Sequence, residues 1–290
     1  MILVTGATGH VGSELVRRLT AAGEPVRAMT RRPAEARLPE GATAVYGDAA
    51  DPASLETAFA GVTGAFLMSA QVVGADEGPT HDRALAEAAA RAGVRRVVKL
   101  SVLDGGAGSD VIARWHAAAE AAVTAGDFAW TLLRPGRFMS NALQWVGQLR
   151  VGDEVSTPFA DRPAASIDPA DLAEIAALAL TTDEHTGATY ELSGPQTLTP
   201  AEELRILGEV LGRTLRLRPL PDDVARTGMS RYGFPPDVVD AIMHRTLNSD
   251  RGAEVLPTAE KLLGRPARTF ARWAGEHAGA FTARERSGSV

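Results

Sequence analysis

Val4-Thr5-Gly6-Ala7-Thr8-Gly9-His10-Val11-Gly12 is the stretch whose reading decides the fold. It follows an apolar run at residues 2–5 and opens an amphipathic segment at 10–22. A strand, a glycine turn and a helix in that order begin a βαβ unit that binds a dinucleotide. Gly6 allows the tight turn. Gly9 removes the side chain where backbone must approach a pyrophosphate, and Gly12 lets the helix pack close to the sheet. The N–H groups at the helix N-terminus then face the phosphates. Gly6, Thr8, Gly9, His10, Val11 and Gly12 are therefore candidate cofactor contacts; the alternative is a purely structural turn.

Working outward, short apolar runs at 25–30, 42–46, 64–69, 96–101 and 128–134 alternate with amphipathic segments at 52–60, 79–92 and 110–125. Fully apolar strands between helices indicate a parallel sheet covered on both faces. The fold class expected is α/β, a doubly wound parallel sheet of the Rossmann type with a smaller, mostly helical C-terminal lobe. Gly23, Gly61, Gly93 and Gly126 each follow a helix, where a left-handed residue ends it cheaply. Asp51-Pro52 reads as an N-cap followed by proline at the first helical position.

Past residue 150 the pattern loosens, and 151–165 is rich in Pro, Gly and Asp. A helix is expected over 168–180 and a strand over 189–192 that returns to the main sheet. Thr199, with Glu202 three residues on, forms a capping box, and 215–219 alternates like an edge strand. The expected division is 1–155 as the dinucleotide-binding domain, with 168–192 returning to it, and 156–290 as a smaller substrate-covering lobe. Its segment 222–248 contributes to the pocket. There Tyr232 and Phe234 either stack on a flat ring or pack the lobe's own core, and Trp115 and Trp145 carry the same ambiguity.

Composition narrows the function. Net charge is −6, so nothing draws the chain to nucleic acid by bulk electrostatics. The absence of cysteine removes disulfides, thiolate nucleophiles and cysteine metal sites. No two of the six histidines are spaced for a local zinc motif, and no metal is expected. No basic segment precedes an apolar one at the N-terminus, and no apolar run reaches the roughly 18–20 residues of a membrane span. The expectation is a soluble, cytoplasmic protein acting on a small molecule.

Strand two ends in Met29-Thr30-Arg31-Arg32-Pro33. A site for NAD usually puts an acid near this point to hold the ribose hydroxyls. Two arginines stand here instead. A guanidinium fork matches a 2′-phosphate, which favours NADP(H); the bland reading is a solvated basic turn. Arg31, nearer the strand end, is the stronger candidate.

These motifs resemble the NmrA-like group of atypical short-chain dehydrogenases/reductases, including its type-2 NADPH quinone oxidoreductases. The resemblance rests on Gly6–Gly12, on Thr30-Arg31-Arg32-Pro33, and on Gly47-Asp48-Ala49-Ala50-Asp51-Pro52-Ala53-Ser54-Leu55. It continues in Ala92-Gly93-Val94-Arg95-Arg96-Val97-Val98-Lys99-Leu100-Ser101, in Thr131-Leu132-Leu133-Arg134-Pro135-Gly136-Arg137-Phe138-Met139-Ser140-Asn141, and in Ile167-Asp168-Pro169-Ala170-Asp171-Leu172-Ala173. It implies that Asp48 and Ala49 lie near the adenine, and that Met68, Ser69 and Ala70 line the cofactor ribose and nicotinamide. Ser101 would sit beside the nicotinamide, with Arg134, Pro135 and Gly136 shaping its pocket and Phe138 and Met139 walling it. Asp48 is also a natural turn residue, and Phe138 and Met139 also suit a core.

Relatives in this superfamily carry Tyr-x-x-x-Lys on the helix after strand five, the tyrosine supplying a proton to the carbonyl oxygen. Here the alignment puts Ile112 at the tyrosine position and His116 at the lysine position, with Glu120 one turn later. Tyr46, Tyr190 and Tyr232 are the chain's tyrosines, and none is on this helix. His116 either holds the ribose or relays a proton, or is a polar residue at the sheet's edge. Glu120 reads as a structural or surface acid. Without the tyrosine, an isolated ketone is a poor acceptor, whereas a quinone or conjugated carbonyl delocalises its reduced anion. The reading is an NADPH-dependent oxidoreductase of such acceptors, with Ser101 and His116 as catalytic candidates. The alternatives are a non-catalytic NADP-sensing regulator of the NmrA type and, third, an epimerase or dehydratase.

Overall fold

The computed structural model describes residues 1–68, 71, 73–74, 78–106 and 108–282. They form two compact units. The first comprises Met1–Gly136, Pro169–Leu192 and Thr258–Arg265; the second Arg137–Asp168, Ser193–Pro257 and Pro266–Val290.

In the first unit, strands β1 (Ile2–Val4), β2 (Val26–Thr30), β3 (Ala42–Tyr46), β4 (Gly64–Leu67), β5 (Arg96–Leu100), β6 (Ala129–Pro135) and β8 (Ala188–Leu192) make one sheet. Their order is β3-β2-β1-β4-β5-β6-β8, and every pairing is parallel. This is the doubly wound arrangement, with its topological switch between β1 and β4. The expected Rossmann sheet is thus present, including the returning strand.

Helices cover both faces. Leu3, Ala65, Leu67, Val97 and Leu132 bury one face of the strands against α2 (Pro52–Phe59), α3 (Thr80–Arg91) and α4 (Val111–Thr124). On the other, α1 (His10–Ala21) lies against α6 (Pro169–Thr181), and α6 against β4, β5 and β6. Each fully buried Leu or Phe contributes about 1.5–3 kcal/mol, and the central strands β1 and β4 are buried and apolar on both sides.

Gly23, Gly61 and Gly93 have φ of 81°, 71° and 69°, the left-handed helix ends expected. Gly126 differs. It is not among the positive-φ glycines; a Cβ there would run into the Phe128 ring, so close packing, not a turn, calls for glycine. Asp51 is the N-cap of α2 with Pro52 in its first turn, as expected, but its side chain makes no cap hydrogen bond; the Ser54 hydroxyl donates to the Asp51 carbonyl at 2.7 Å. Asp110 caps α4, accepting from the Ala113 N–H at 2.9 Å.

The second unit is built on Trp145, Trp273, Phe270 and Phe281. A short strand within the loose segment after residue 150, β7 (Glu154–Thr157), pairs in parallel with β9 (Arg216–Pro219). Thr199 and Glu202 form the capping box of α7 (Pro200–Leu211). Residues 222–248 fold as α8 (Asp222–Arg231) and α9 (Pro236–Asn248). No helix among the described residues is long and apolar enough to cross a membrane.

Candidate functional site

The glycine turn sits at the carboxyl end of β1, beside the switch point, where open α/β sheets take their ligands. Gly6 has φ 60° and receives the Gly9 N–H on its carbonyl at 2.9 Å, which closes the turn. Gly9 is the N-cap of α1, with φ −83° and ψ 174°. No side chain caps this helix and no acid stands in its first turn. The positive end of its dipole is left for an anion.

A cavity of about 300 Å³ opens over this turn. It is lined by Thr5, Gly6, Thr8 and Gly9 from the first βα unit, by Met29, Thr30, Arg31 and Arg32 from the end of β2, and by Gly47, Asp48 and Ala49 from the end of β3. Met68, His81 and Leu85 close the far side. The structure thus brings together Gly6, Thr8, Gly9, Arg31, Asp48, Ala49 and Met68. His10 is exposed, and Val11 and Gly12 are buried in the first turn of α1. A Cβ at Gly12 would overlap the Gly6 carbonyl oxygen and come within 2.7 Å of its carbon.

Three details shape the cavity. Thr5 Oγ1 accepts from the Met68 N–H at 2.7 Å and donates toward the Met68 carbonyl at 2.9 Å, fixing the end of β4 against β1. The Met68 side chain then lies across Gly6, where any Cβ would strike its methyl group. Asp48 turns on itself: its Oδ1 accepts from the Ala50 N–H at 3.0 Å, so it serves as a turn residue that also lines the cavity. Arg32 pairs with Glu35 at 3.0 Å on the surface.

A second cluster stands at the carboxyl end of β5. Ser101 and Glu120 are both buried, and the Ser101 hydroxyl donates to Glu120 Oε1 at 2.6 Å. Arg134 from β6 grips the same carboxylate twice, Nε to Oε1 at 2.9 Å and Nη2 to Oε2 at 2.6 Å. Burial alone would push the Glu120 pKa up. The hydrogen bonds from Arg134 and Ser101, with the charges of Arg134 and His116, outweigh it and hold the carboxyl below the ordinary carboxylate value. Glu120 is thus no surface acid. Ile112, His116 and Glu120 fall four apart along α4 and share a face, with Ile112 and His116 half-buried. Pro135 is buried, its carbonyl accepting the Leu103 N–H at 2.8 Å.

Sequence reasoning did not find the pairing of Glu120 with Arg134, nor His81 and Leu85 in the cavity wall. It also missed the buried ion pair of Lys99 with Asp82 at 2.9 Å, both 2% exposed. One signal for that pair was present, a lysine inside the apolar run of β5. Ser69 and Ala70 lie outside the described residues. Phe138, Met139 and Tyr232 belong to the second unit. Met139 packs in its core with Trp145, Phe138 is half-buried, and Tyr232 is 88% exposed, so it does not pack that core. Trp115 is buried in α4.

Comparison with known proteins places this architecture. The NmrA-like family model matches residues 1–254. A Streptomyces griseus protein named (4-alkanoyl-5-oxo-2,5-dihydrofuran-3-yl)methyl phosphate reductase is 42% identical over 287 residues, which cover 97% of this chain and 99% of that protein. The NAD(P)H azoreductase of Xenophilus azovorans is 35% identical over 98% of this chain and 100% of its own. Among solved structures, the NADPH-dependent quinone oxidoreductase QOR2 of Escherichia coli, complexed with NADPH, superposes with a TM-score of 0.77 at 26% identity, covering 95% of this chain and 99% of that one. The chain belongs to the NmrA-like family.

Proposed function

We propose that this protein reduces a quinone or another conjugated carbonyl by hydride transfer from NADPH. The chain is an NAD(P)H-dependent oxidoreductase using NADP(H), in keeping with an NAD(P)H azoreductase relative and an NADPH-bound structural neighbour. The residues present fit that cofactor. The glycine turn, the uncapped N-terminus of α1 and the cavity of about 300 Å³ suit a pyrophosphate and an adenosine. Arg31 stands at the end of β2 where an acid would select NAD.

NADPH supplies a hydride when bound; the chain's own groups hold and orient it. Gly6, Thr8 and Gly9 would form the pyrophosphate cradle, Arg31 would take the 2′-phosphate, and Asp48 and Ala49 would flank the adenine. Ser101 and His116 would serve the reacting end, His116 holding the ribose or carrying a proton.

The observation that carries the choice of acceptor is Ile112. An intact cradle stands beside a helix that offers an aliphatic side chain where a proton-donating tyrosine is expected. A bare alkoxide formed from an isolated ketone would go unprotonated, whereas a conjugated acceptor spreads its charge and takes a proton from water. The relatives' names fit this chemistry, since an unsaturated acyl lactone, an azo compound and a quinone are all conjugated acceptors.

The test is NADPH consumption across benzoquinones, naphthoquinones, acyl-substituted unsaturated lactones and simple ketones. Turnover of the conjugated compounds and not of the ketones is expected. Equal turnover of ketones would refute the reading. Tight NADPH binding without any turnover would point instead to the sensing role.

A further inference from the structure

We infer that Ser101 works in this site as a hydrogen-bond acceptor and not as a donor, because Glu120, clamped by Arg134, takes its only proton. The inference rests on the proposed reduction and deepens it. Glu120 and Arg134 become positioning residues that set the polarity of a neighbouring hydroxyl.

A serine hydroxyl has one proton and two lone pairs. That proton lies on Glu120 Oε1, with Oγ and Oε1 2.6 Å apart, in the short range of O–H···O⁻ bonds. The carboxylate has no proton to return. It accepts from Arg134 at both oxygens, 2.9 Å and 2.6 Å, and the guanidinium fork keeps it ionised. The groups facing this pair are His116 beside Glu120, and Asp104 and Glu191 beside Arg134. The first favours the carboxylate, and the other two favour the guanidinium cation.

The loop after β5 seals the arrangement. A Cβ at Gly105 would stand 2.9 Å from Ser101 Oγ and 3.1 Å from Glu120 Oε1, and one at Gly106 would meet the Arg134 guanidinium. Bare backbone therefore packs against the three side chains, while Ser101 keeps 8% of its surface exposed. Asp104 reaches this turn with φ 60°, a left-handed conformation unusual for a residue with a side chain. With so little room, the Ser101 hydroxyl has no ready alternative to the carboxylate.

In the proposed reduction, bound NADPH would supply a hydride, giving up one carbon–hydrogen bond and two electrons. The hydride would form a C–H bond on a conjugated carbonyl, leaving an enolate, or an O–H bond on a quinone, leaving the hydroquinone monoanion. On the present inference Ser101 neither stabilises that anion nor protonates it. Its lone pairs accept from an N–H or O–H of the bound ligand, and the proton for the product comes from elsewhere, ultimately water.

The experiment uses nitrophenol bound to the full-length protein in the presence of NADP⁺, because its visible absorbance reports directly whether the phenol or the phenolate is held. Wild type is compared with Ser101→Ala, which keeps the Glu120–Arg134 pair and so the packing, and with Glu120→Gln. An accepting Ser101 favours the neutral phenol, so Ser101→Ala should raise the bound phenolate fraction. Glu120→Gln, whose neutral amide oxygen accepts the hydroxyl proton more weakly than a carboxylate, frees that proton in part toward the ligand and should raise the fraction above wild type, an effect abolished when Ser101 is also alanine. For quinone turnover, Ser101→Ala should cost about 2- to 12-fold, the worth of one ordinary hydrogen bond. A fall in bound phenolate on Ser101→Ala, or a loss of about 100- to 1,000-fold in turnover as for an oxyanion donor, overturns the inference while leaving the reductase reading intact. A wild-type protein that neither binds the phenol nor turns over any quinone refutes both.

Discussion

Gly9 and Gly12 are three residues apart in one motif, yet the structure gives them different work, and alanine at each separates the two. At Gly12 the added Cβ overlaps the Gly6 carbonyl oxygen and stands 2.7 Å from the Gly6 carbonyl carbon and 3.0 Å from Ala7 Cα. Carbon atoms pack at about 3.5–4.0 Å, so the start of α1 would have to move off the turn by about 1 Å. Every atom in the way is backbone. Overpacking of this kind costs about 1–3 kcal/mol, and better helix propensity returns at most about 1. For a protein of this size, each kcal/mol lowers Tm by roughly 2–4 °C.

Gly9 tells another story. Its φ of −83° and ψ of 174° are open to any residue. A Cβ there meets only the Gly6 oxygen at 3.3 Å and the Met68 methyl at 4.0 Å, a mild crowding. What it takes up is space lining the cavity. Gly9→Ala should therefore melt within about 2–4 °C of wild type, a cost of no more than about 1 kcal/mol. Its NADPH affinity should fall at least 10-fold, since losing a contact to a charged group costs about 1.5–3 kcal/mol. Gly12→Ala should show the larger fall in Tm. The assay is a thermal melt of each variant with and without NADPH, with calorimetric titration of the cofactor. If Gly9→Ala binds NADPH as wild type does, or melts as low as Gly12→Ala, the division of labour is wrong.

Arg31→Ala should erase most of the preference for NADP(H) over NAD(H), a loss of roughly 10- to 150-fold in relative affinity, read by calorimetric titration of both cofactors. Arg32→Ala should lose less, because Arg32 is already paired with Glu35. Lys99→Met leaves Asp82 buried without its lysine and should destabilise the fold by about 3–5 kcal/mol in denaturant titration, with much of the loss recovered when Asp82→Leu is added. The Glu120 pKa is lower in the folded chain than its ordinary value of 4.5, so its ion pair stabilises the protein fully above that value and the contribution is lost as pH falls through the folded pKa. The gap in Tm between wild type and Glu120→Gln should accordingly be widest near neutral pH and close on acidification below 4.5.

How much of this was legible beforehand follows from the range of the interactions. The sheet was readable because strands buried on both faces are apolar throughout, and each is bounded by a turn or helix signal of its own. Expected and observed elements agree to within a residue or two, from β1 at Ile2–Val4 to β6 at Ala129–Pro135. The glycine turn was readable because it acts within nine residues of chain. Gly126 misled because its residue type matched a common helix-ending role, whereas the requirement there is close packing against Phe128. The strand β7 escaped because four residues carry little periodicity, and its partner β9 lies about sixty residues away.

The site was legible where backbone performs the task and illegible where side chains meet across strands. A cradle of N–H groups needs glycine at fixed spacing, and that spacing is written in the sequence. The polarity of Ser101 is not. It depends on Glu120, 19 residues on, and on Arg134, a further 14, joined only because β5, α4 and β6 lie side by side. Read singly, Ser101 resembles a donor, Glu120 a structural or surface acid and Arg134 a pocket residue. Read together, they remove a donor from a site that already lacks its tyrosine. Two departures from ordinary carbonyl-reducing machinery then point the same way. With Ile112 where a proton donor would stand and Ser101 inferred to have no proton to spare, the proposed reaction is one of acceptors that carry the charge of their own reduction.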